Sequence, residues 1–152
     1  MSGETLKDKV SRLADQIHSE VINNRRYLHT NPELSFHEYN TSAFVKSQLD
    51  ALGISYQSMA NTGIVALISG NIPSDTVVAL RADMDALPIL EANNVPYKSI
   101  NEGVMHACGH DVHTSSLLGT AKILNELKDD FAGTIKLIFQ PAEEKLQAGP
   151  AL

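Results

Sequence analysis

The first part of the chain has apolar residues that recur every three or four positions. They are Leu6, Val10, Leu13, Ile17 and Val21. This spacing puts them on one face of a helix, so it predicts an amphipathic first helix that ends near Asn31-Pro32. Ser35 and Glu38 have the spacing of a capping box, which predicts a second helix that begins there and closes at Gly53.

The remaining pattern predicts strands and one more helix. Extended segments are expected over 54–59, 63–69, 76–82 and 134–140. The second and third contain nearly continuous apolar runs, which are typical of strands covered on both faces. A third helix is expected from about Thr114 to Leu127. Because these strands alternate with amphipathic helices, the order predicts an α/β fold, a partial α/β/α sandwich.

Composition and charge narrow the class of protein. The 152 residues fit one domain, with 43% hydrophobic and 20% charged residues and a net charge of −6. No dense Lys/Arg cluster is present, so a nucleic-acid or anionic-membrane partner is not expected. A single cysteine excludes an internal disulfide. The polar N-terminus and the absence of a long apolar run complete the expectation of a cytoplasmic protein.

Metal-ligand residue types are concentrated in residues 106–113, which hold the only cysteine, three of the six histidines and one aspartate. Gly109 lets the chain bend so that Cys108 and His110 can face one ion. A lone cysteine is otherwise a small buried apolar residue, and a lone histidine a surface or core residue. The clustering with His106 and His113 favours the ligand interpretation. The absence of a second cysteine pair excludes a common structural zinc knuckle.

Acidic residues follow two of the predicted strands. Glu143 and Glu144 come directly after the strand over 134–140, and a solvated loop is the alternative interpretation. At a strand end, one carboxylate can coordinate metal while the other accepts a proton from water. Asp83 and Asp85 either orient ligand histidines from behind or cap the turn before Pro88. Sites collect at the carboxyl ends of strands in open α/β sheets, so these segments are expected to converge.

The remaining histidines and two arginines of the first helix are not expected to bind metal. His29 is expected to be structural or at the edge of the cleft. Arg25 and Arg26 are expected to form a solvated helix face rather than a carboxylate clamp, and His18 and His37 to lie on the surface.

Four motifs in order resemble a known family, the amidohydrolase branch of the M20 metallopeptidases. This branch contains hippurate hydrolases, N-acyl-amino-acid amidohydrolases and auxin-conjugate hydrolases. The motifs are His29-Thr30-Asn31-Pro32-Glu33-Leu34-Ser35, Arg81-Ala82-Asp83-Met84-Asp85-Ala86-Leu87-Pro88, His106-Ala107-Cys108-Gly109-His110-Asp111 and Gln140-Pro141-Ala142-Glu143-Glu144.

The resemblance implies a two-metal amidohydrolase site. By position, Cys108, His110 and Glu144 resemble metal ligands for zinc, manganese, cobalt or nickel. Glu143 resembles the general base, and Asp85 resembles a second-shell or catalytic acidic residue. The implied fold is a zinc-peptidase-like catalytic domain with an inserted α+β domain that forms a homodimer. The implied substrate is a small N-acyl amino acid or conjugate.

The resemblance also implies that the family's members are more than twice as long as this chain. We therefore expect residues 1–152 to correspond to the N-terminal part of the catalytic domain, truncated before the inserted domain and later ligand histidines. The stretch from Lys145 to Leu152 departs from the family's Gly-rich pattern. Such a chain is expected to hold metal incompletely and to show no hydrolysis alone. A cysteine-dependent acyl hydrolase and a non-catalytic metal-binding fragment are the alternatives.

Overall fold

A computed structural model describes residues 4–145 of the chain, and the sequence from 146 to 152 lies outside the described residues. The elements in chain order are α1 (Leu6–Thr30), α2 (Tyr39–Ala51), β1 (Tyr56–Met59), β2 (Gly63–Ser69), β3 (Ile72–Asp83), α3 (His110–Glu126) and β4 (Ala132–Gln140), with a short 3-10 turn at Lys128–Asp130. Every predicted helix and strand is present. No helix within residues 4–145 is long and apolar enough to cross a bilayer.

The four strands form one mixed sheet in the order β1-β2-β4-β3. The β1–β2 and β2–β4 pairs are antiparallel, whereas β3 and β4 run parallel, with Val78 opposite Ile135 and Ala82 opposite Phe139. The chain crosses from β3 to β4 through α3, as a parallel connection requires. The predicted α/β fold class is confirmed: a mixed sheet is flanked by helices.

The core lies between one face of this sheet and the helices. It contains Ile64, Ala66, Ile68, Leu137 and Phe139 from the strands and Val45, Leu49, Leu117, Leu118 and Ala121 from α2 and α3. Helix α1 packs on α3. The two helices approach closely at Gly119, where an added Cβ would lie 2.7 Å from Cγ2 of Val21. These contacts hold α3, and therefore the residues at its N-terminus, against the sheet.

The prediction that β2 and β3 are covered on both faces is wrong for the part of the chain that the structure describes. Leu67 is 50% exposed and Val77 is 59% exposed. In β2, buried and accessible residues alternate, because α2 and α3 cover only the face that carries Ile64 and Ile68. An apolar run does not reveal whether one face or both are covered.

The capping box predicted for the second helix is also wrong. Glu38 occupies the N-cap of α2 but makes no side-chain capping bond, and the hydroxyl of Ser35 donates to Asp85 instead. The carboxyl group of Glu33 caps the helix by accepting hydrogen bonds from the amides of Asn40 and Thr41. The closing residue is correct, because Gly53 follows the last turn with a φ of +66°.

Candidate metal centre

Three chain segments meet at the end of the sheet where β3 and β4 terminate. Asp83 is opposite Gln140 in the parallel register, and the amide of Met84 donates to the carbonyl of Gln140 over 2.9 Å. Asp85 and the Glu143–Glu144 pair therefore leave neighbouring strands side by side. The third segment contains Cys108 and His110.

Helix α3 begins at His110, four residues before the predicted start. Gly109 precedes it with a φ of +89°, a left-handed conformation that favours glycine. The chain changes direction at Gly109. Cys108 therefore lies in the preceding loop, and His110 lies in the first turn of the helix. The expectation that Gly109 permits a bend between the two side chains is confirmed.

The predicted donor atoms lie close together. A donor atom from each of Cys108, His110 and Glu144 lies within 4.8 Å of the other two. Nε2 of His110 is 3.8 Å from a carboxylate oxygen of Glu143 and 3.9 Å from one of Glu144. Glu143 is the more accessible of the two, with 42% of its side chain exposed against 27% for Glu144. The geometry brings together all the predicted ligands and the predicted base, whose roles remain predictions.

Asp85 lies behind this cluster and is fully buried. Its Oδ2 accepts hydrogen bonds from the hydroxyl of Ser35 at 2.7 Å and from the amide of Glu144 at 3.0 Å. Nδ1 of His110 lies 3.0 Å from the Asp85 carbonyl oxygen and 3.3 Å from its Oδ1. A residue that engages Nδ1 in this way orients the ring and leaves Nε2 facing the glutamates.

The electrostatics couple His110 to Asp85. Burial opposes charging of the His110 ring, but hydrogen bonds with Asp85 and Cys108 outweigh it and raise the pKa of His110 to about 11. Burial also opposes ionisation of Asp85, yet hydrogen bonds from His110, Ser35 and the Glu144 amide hold its pKa below the usual value. In the absence of metal the pair is therefore charged at neutral pH, and a cation must displace the His110 proton.

A second group of possible ligands shares His110 with the first. Donor atoms of Asp83, His110 and His113 also lie within 4.8 Å of one another. Asp83 is already paired with the guanidinium of Arg81, and Nδ1 of His113 lies 3.6 Å from Oδ2 of Asp83. The Asp83 carbonyl accepts a hydrogen bond from Thr114. The second group adjoins the first, because His110 belongs to both.

A buried polar network lies beside the site and joins His29 to two carboxylates. His29 is buried, with Nδ1 at 2.7 Å from Asp111 and Nε2 at 3.1 Å from Glu91. Nε of Arg25 lies 2.8 Å from the same oxygen of Asp111. The structural interpretation of His29 is confirmed. The solvated-face interpretation of Arg25 is wrong, because a carboxylate 86 residues further along the chain lies against it.

The surface assignments are correct for His18 and His37, which are exposed, and for Arg26.

His106 belongs to the same motif as Cys108 and His110 but does not join the donor cluster. It is 4% exposed, and neither ring nitrogen has a hydrogen-bond partner among the described residues. Burial lowers the pKa of His106 to about 4, so its ring is neutral at physiological pH.

The distances between the donor atoms of Cys108, His110 and Glu144 fit a shared metal ion. Zinc ligands lie about 2.0–2.3 Å from the ion, so atoms that share it lie within roughly 4.6 Å of each other. Donor atoms of Cys108, His110 and Glu144 lie within 4.8 Å of one another, and Nε2 of His110 is 3.9 Å from Oε1 of Glu144. A thiolate with imidazole and carboxylate suits zinc, cobalt or nickel better than calcium or magnesium.

A thiol and an imidazole at the start of a helix, close to paired carboxylates that follow a strand, form a donor set that suits an α/β metal-dependent hydrolase. The model of peptidase family M20/M25/M40 matches residues 79–151. The chain belongs to the M20 family and is similar to its N-acyl-amino-acid amidohydrolases. The resemblance inferred from the motifs is thereby confirmed.

The similar proteins include enzymes with different names. The chain is 49% identical to the N-acyl-L-amino acid amidohydrolase of Geobacillus stearothermophilus, over 94% of this chain and 39% of the relative. It is 51% identical to thermostable carboxypeptidase 2 of Saccharolobus solfataricus, over 93% of this chain and 35% of the relative. The chain thus spans 35–39% of the length of these curated relatives.

Solved structures show the same fold. The YXEP protein of Bacillus subtilis, described as a dinuclear metal binding peptidase from the M20 family, superposes with a TM-score of 0.84 at 44% identity, over 88% of this chain and 38% of that protein. An aminohydrolase from methicillin-resistant Staphylococcus aureus superposes with a TM-score of 0.86 at 41% identity, over 91% of this chain and 37% of that protein. The described fold corresponds to a portion of the M20 catalytic domain.

Proposed function

We propose that the protein hydrolyses the amide bond of small N-acyl amino acids or related conjugates in a metal-dependent reaction. The observation that carries this proposal is the convergence of Cys108, His110 and Glu144 within 4.8 Å, with Glu143 beside them. Membership of the M20 family and 49% identity to an N-acyl-L-amino acid amidohydrolase support it. The family's carboxypeptidase relative makes peptide-like substrates the second candidate.

The proposed cofactor is a pair of divalent ions, zinc, manganese, cobalt or nickel. Cys108, His110 and Glu144 would hold metal at this site, and the YXEP protein's description as dinuclear supports a two-ion centre. When bound, such ions polarise the scissile carbonyl and lower the pKa of water. We also propose a homodimer for the whole protein, which light scattering would test.

The chain's own residues have distinct proposed tasks. Asp85 engages Nδ1 of His110 and the Glu144 amide, so it orients two of the three proposed ligands at once. Glu143, whose side chain is 42% exposed, is accessible to a substrate at the metal centre. It would take a proton from the attacking water and deliver it to the leaving amine.

The test is hydrolysis of N-acetyl and N-benzoyl amino acids by the whole protein, with and without a chelator. The proposal predicts turnover that a chelator abolishes and that added zinc, manganese, cobalt or nickel restores. The rival mechanism, in which Cys108 attacks the acyl carbon, predicts turnover that persists in the chelator. Absence of hydrolysis in protein shown to be metal-loaded would contradict the proposed substrate class.

A further inference from the structure

A buried carboxyl group holds the loop that carries the two site glutamates. Glu38 is 0% exposed, although it lies at the N-cap of α2, where a side chain is normally solvated. Its Oε1 accepts a hydrogen bond from the backbone amide of Ala142 at 2.8 Å, and its Oε2 accepts one from the hydroxyl of Thr62 at 2.7 Å. Neither of these hydrogen bonds involves a proposed ligand.

The loop after β4 has an unusual backbone conformation and packs closely against β2. Ala142 has a φ of +52°, a left-handed conformation that residues with a Cβ rarely adopt, and its side chain is fully buried. Pro141 packs against Gly63, where an added Cβ would lie 2.9 Å from Cδ of the proline. The hydrogen bond from Ala142 to Glu38 stabilises this unusual conformation immediately before Glu143.

A second buried carboxylate holds the other side of the same loop. Asp85 accepts the amide of Glu144, and Glu38 accepts the amide of Ala142. The two held amides flank Glu143, so both glutamates leave a backbone that is fixed on either side. Ser35, three residues before Glu38, donates to Asp85 and links the two attachments.

We propose that Glu38 is a positioning residue, which fixes the backbone at Ala142 so that Glu144 faces Cys108 and His110. This inference rests on the proposed function, because it assigns Glu38 to the placement of a metal ligand. Removal of the Glu38 carboxyl group would leave the buried amide of Ala142 without its acceptor. Ala142 would then leave its left-handed backbone conformation, and Glu144 would move away from Cys108 and His110.

Three variants separate positioning from a general loss of structure. Glu38→Ala removes both hydrogen bonds. Glu38→Gln keeps an oxygen for the Ala142 amide and offers an NH2 group to the Thr62 oxygen, so it is the conservative rescue. Glu33→Ala is the matched control, because it removes a cap from the same end of α2 at Asn40 and Thr41 without touching the loop.

The first measurement does not depend on metal. Backbone hydrogen exchange followed by NMR in the metal-free protein reports the protection of the Ala142 amide. We expect Glu38→Ala to speed this exchange at least about 10-fold, Glu38→Gln to leave it near wild type, and Glu33→Ala to affect only α2. An Ala142 amide that is as protected in Glu38→Ala as in wild type overturns the inference.

The second measurement asks whether positioning serves metal binding. Cobalt titrations, followed through the cobalt–thiolate absorption of Cys108, give the affinity of each variant. Glu38→Ala should weaken binding roughly 10-fold in the wild-type background. In a Glu144→Gln background it should have less than about a 2-fold effect, because the ligand that it positions is gone. Equal effects in both backgrounds would overturn the positioning role.

The outcomes distinguish the two proposals. A wild-type protein that gives no cobalt–thiolate band contradicts the proposed metal centre, and with it the positioning role, while the exchange data still show whether Glu38 holds the loop. A wild-type protein that binds cobalt with no loss in Glu38→Ala contradicts the positioning role alone. If Glu38→Ala does not fold, Thr62→Val replaces it in both measurements, with the same direction and a smaller effect expected, because it removes one of the two bonds.

Discussion

The substitution Asp85→Asn tests the electrostatic support of the site most sharply. Asp85 is fully buried, accepts hydrogen bonds from Ser35 and the Glu144 amide, and lies 3.3 Å from Nδ1 of His110. An asparagine supplies one accepting oxygen in place of two and carries no charge to pair with the His110 ring. Breaking a buried pair by removing one partner costs about 3–5 kcal/mol. We expect the metal-free variant to lose stability at the lower end of this range, because part of His110's pairing is with the Asp85 carbonyl, which remains.

The pH dependence of that loss follows from the two pKa shifts. The lowered pKa of Asp85 gives stability that is present above about 3.8 and is lost as the pH falls through the folded value. The pKa of His110, raised to about 11, gives stability that is present below about 6.5 and is lost as the pH rises toward 11. The wild-type advantage over Asp85→Asn should therefore be largest between about pH 4 and 6.5 and should shrink through pH 9.

The assay is urea unfolding of chelator-treated protein, followed by circular dichroism at pH 5.5 and pH 9. Asp83→Asn is the control, because Asp83 pairs with a half-exposed arginine, Arg81, and a pair of this kind contributes less than about 1 kcal/mol. A loss below about 1 kcal/mol for Asp85→Asn, or an equal loss at the two pH values, would refute the proposed coupling of Asp85 to His110.

Two further predictions concern the paired glutamates, Glu143 and Glu144, and the buried His106. In the whole protein, Glu143→Gln should retain metal and lose ~10²-fold or more in kcat, whereas Glu144→Gln should lower metal affinity. Near wild-type turnover in Glu143→Gln would exclude it as the general base. His106, with its pKa lowered to about 4, stays neutral in the folded state while the unfolded chain takes up a proton below about 6.5, so stability should fall as the pH drops from 6.5 to 4. His106→Phe should flatten this slope in urea unfolding, and an unchanged slope would assign the dependence to other groups.

The sequence predicts the elements and the convergence of the site because both depend on local patterns. Helical spacing in α1 and apolar runs in the strands are properties of neighbouring residues. Asp85 and Glu144 are predicted to meet because residues that follow the ends of parallel strands share one edge of the sheet. Cys108 and His110, which lie at the start of α3, are grouped with Glu144 through the clustering of ligand residue types and the family resemblance. Helix α3 begins before the predicted Thr114 because its start depends on the backbone conformation at Gly109, which the apolar spacing does not indicate.

The errors arise where distant partners compete with a local pattern. Ser35 and Glu38 have capping-box spacing, yet their side chains bind Asp85 and the Ala142 amide, 50 and 104 residues away. The sequence predicts a solvated Arg25, but in the fold its guanidinium group lies against the carboxylate of Asp111. Such contacts are set by tertiary packing, so a single sequence does not indicate them.

The central claim is that Cys108, His110 and Glu144 form one metal centre. Its most direct test is cobalt titration of the metal-free chain, with the bound metal counted by elemental analysis and the cobalt–thiolate absorption recorded. The account predicts a band that Cys108→Ser abolishes, and cobalt affinity that falls in both His110→Ala and Glu144→Gln. Cobalt that binds without a thiolate band, or with an affinity that none of these substitutions changes, would contradict the assignment.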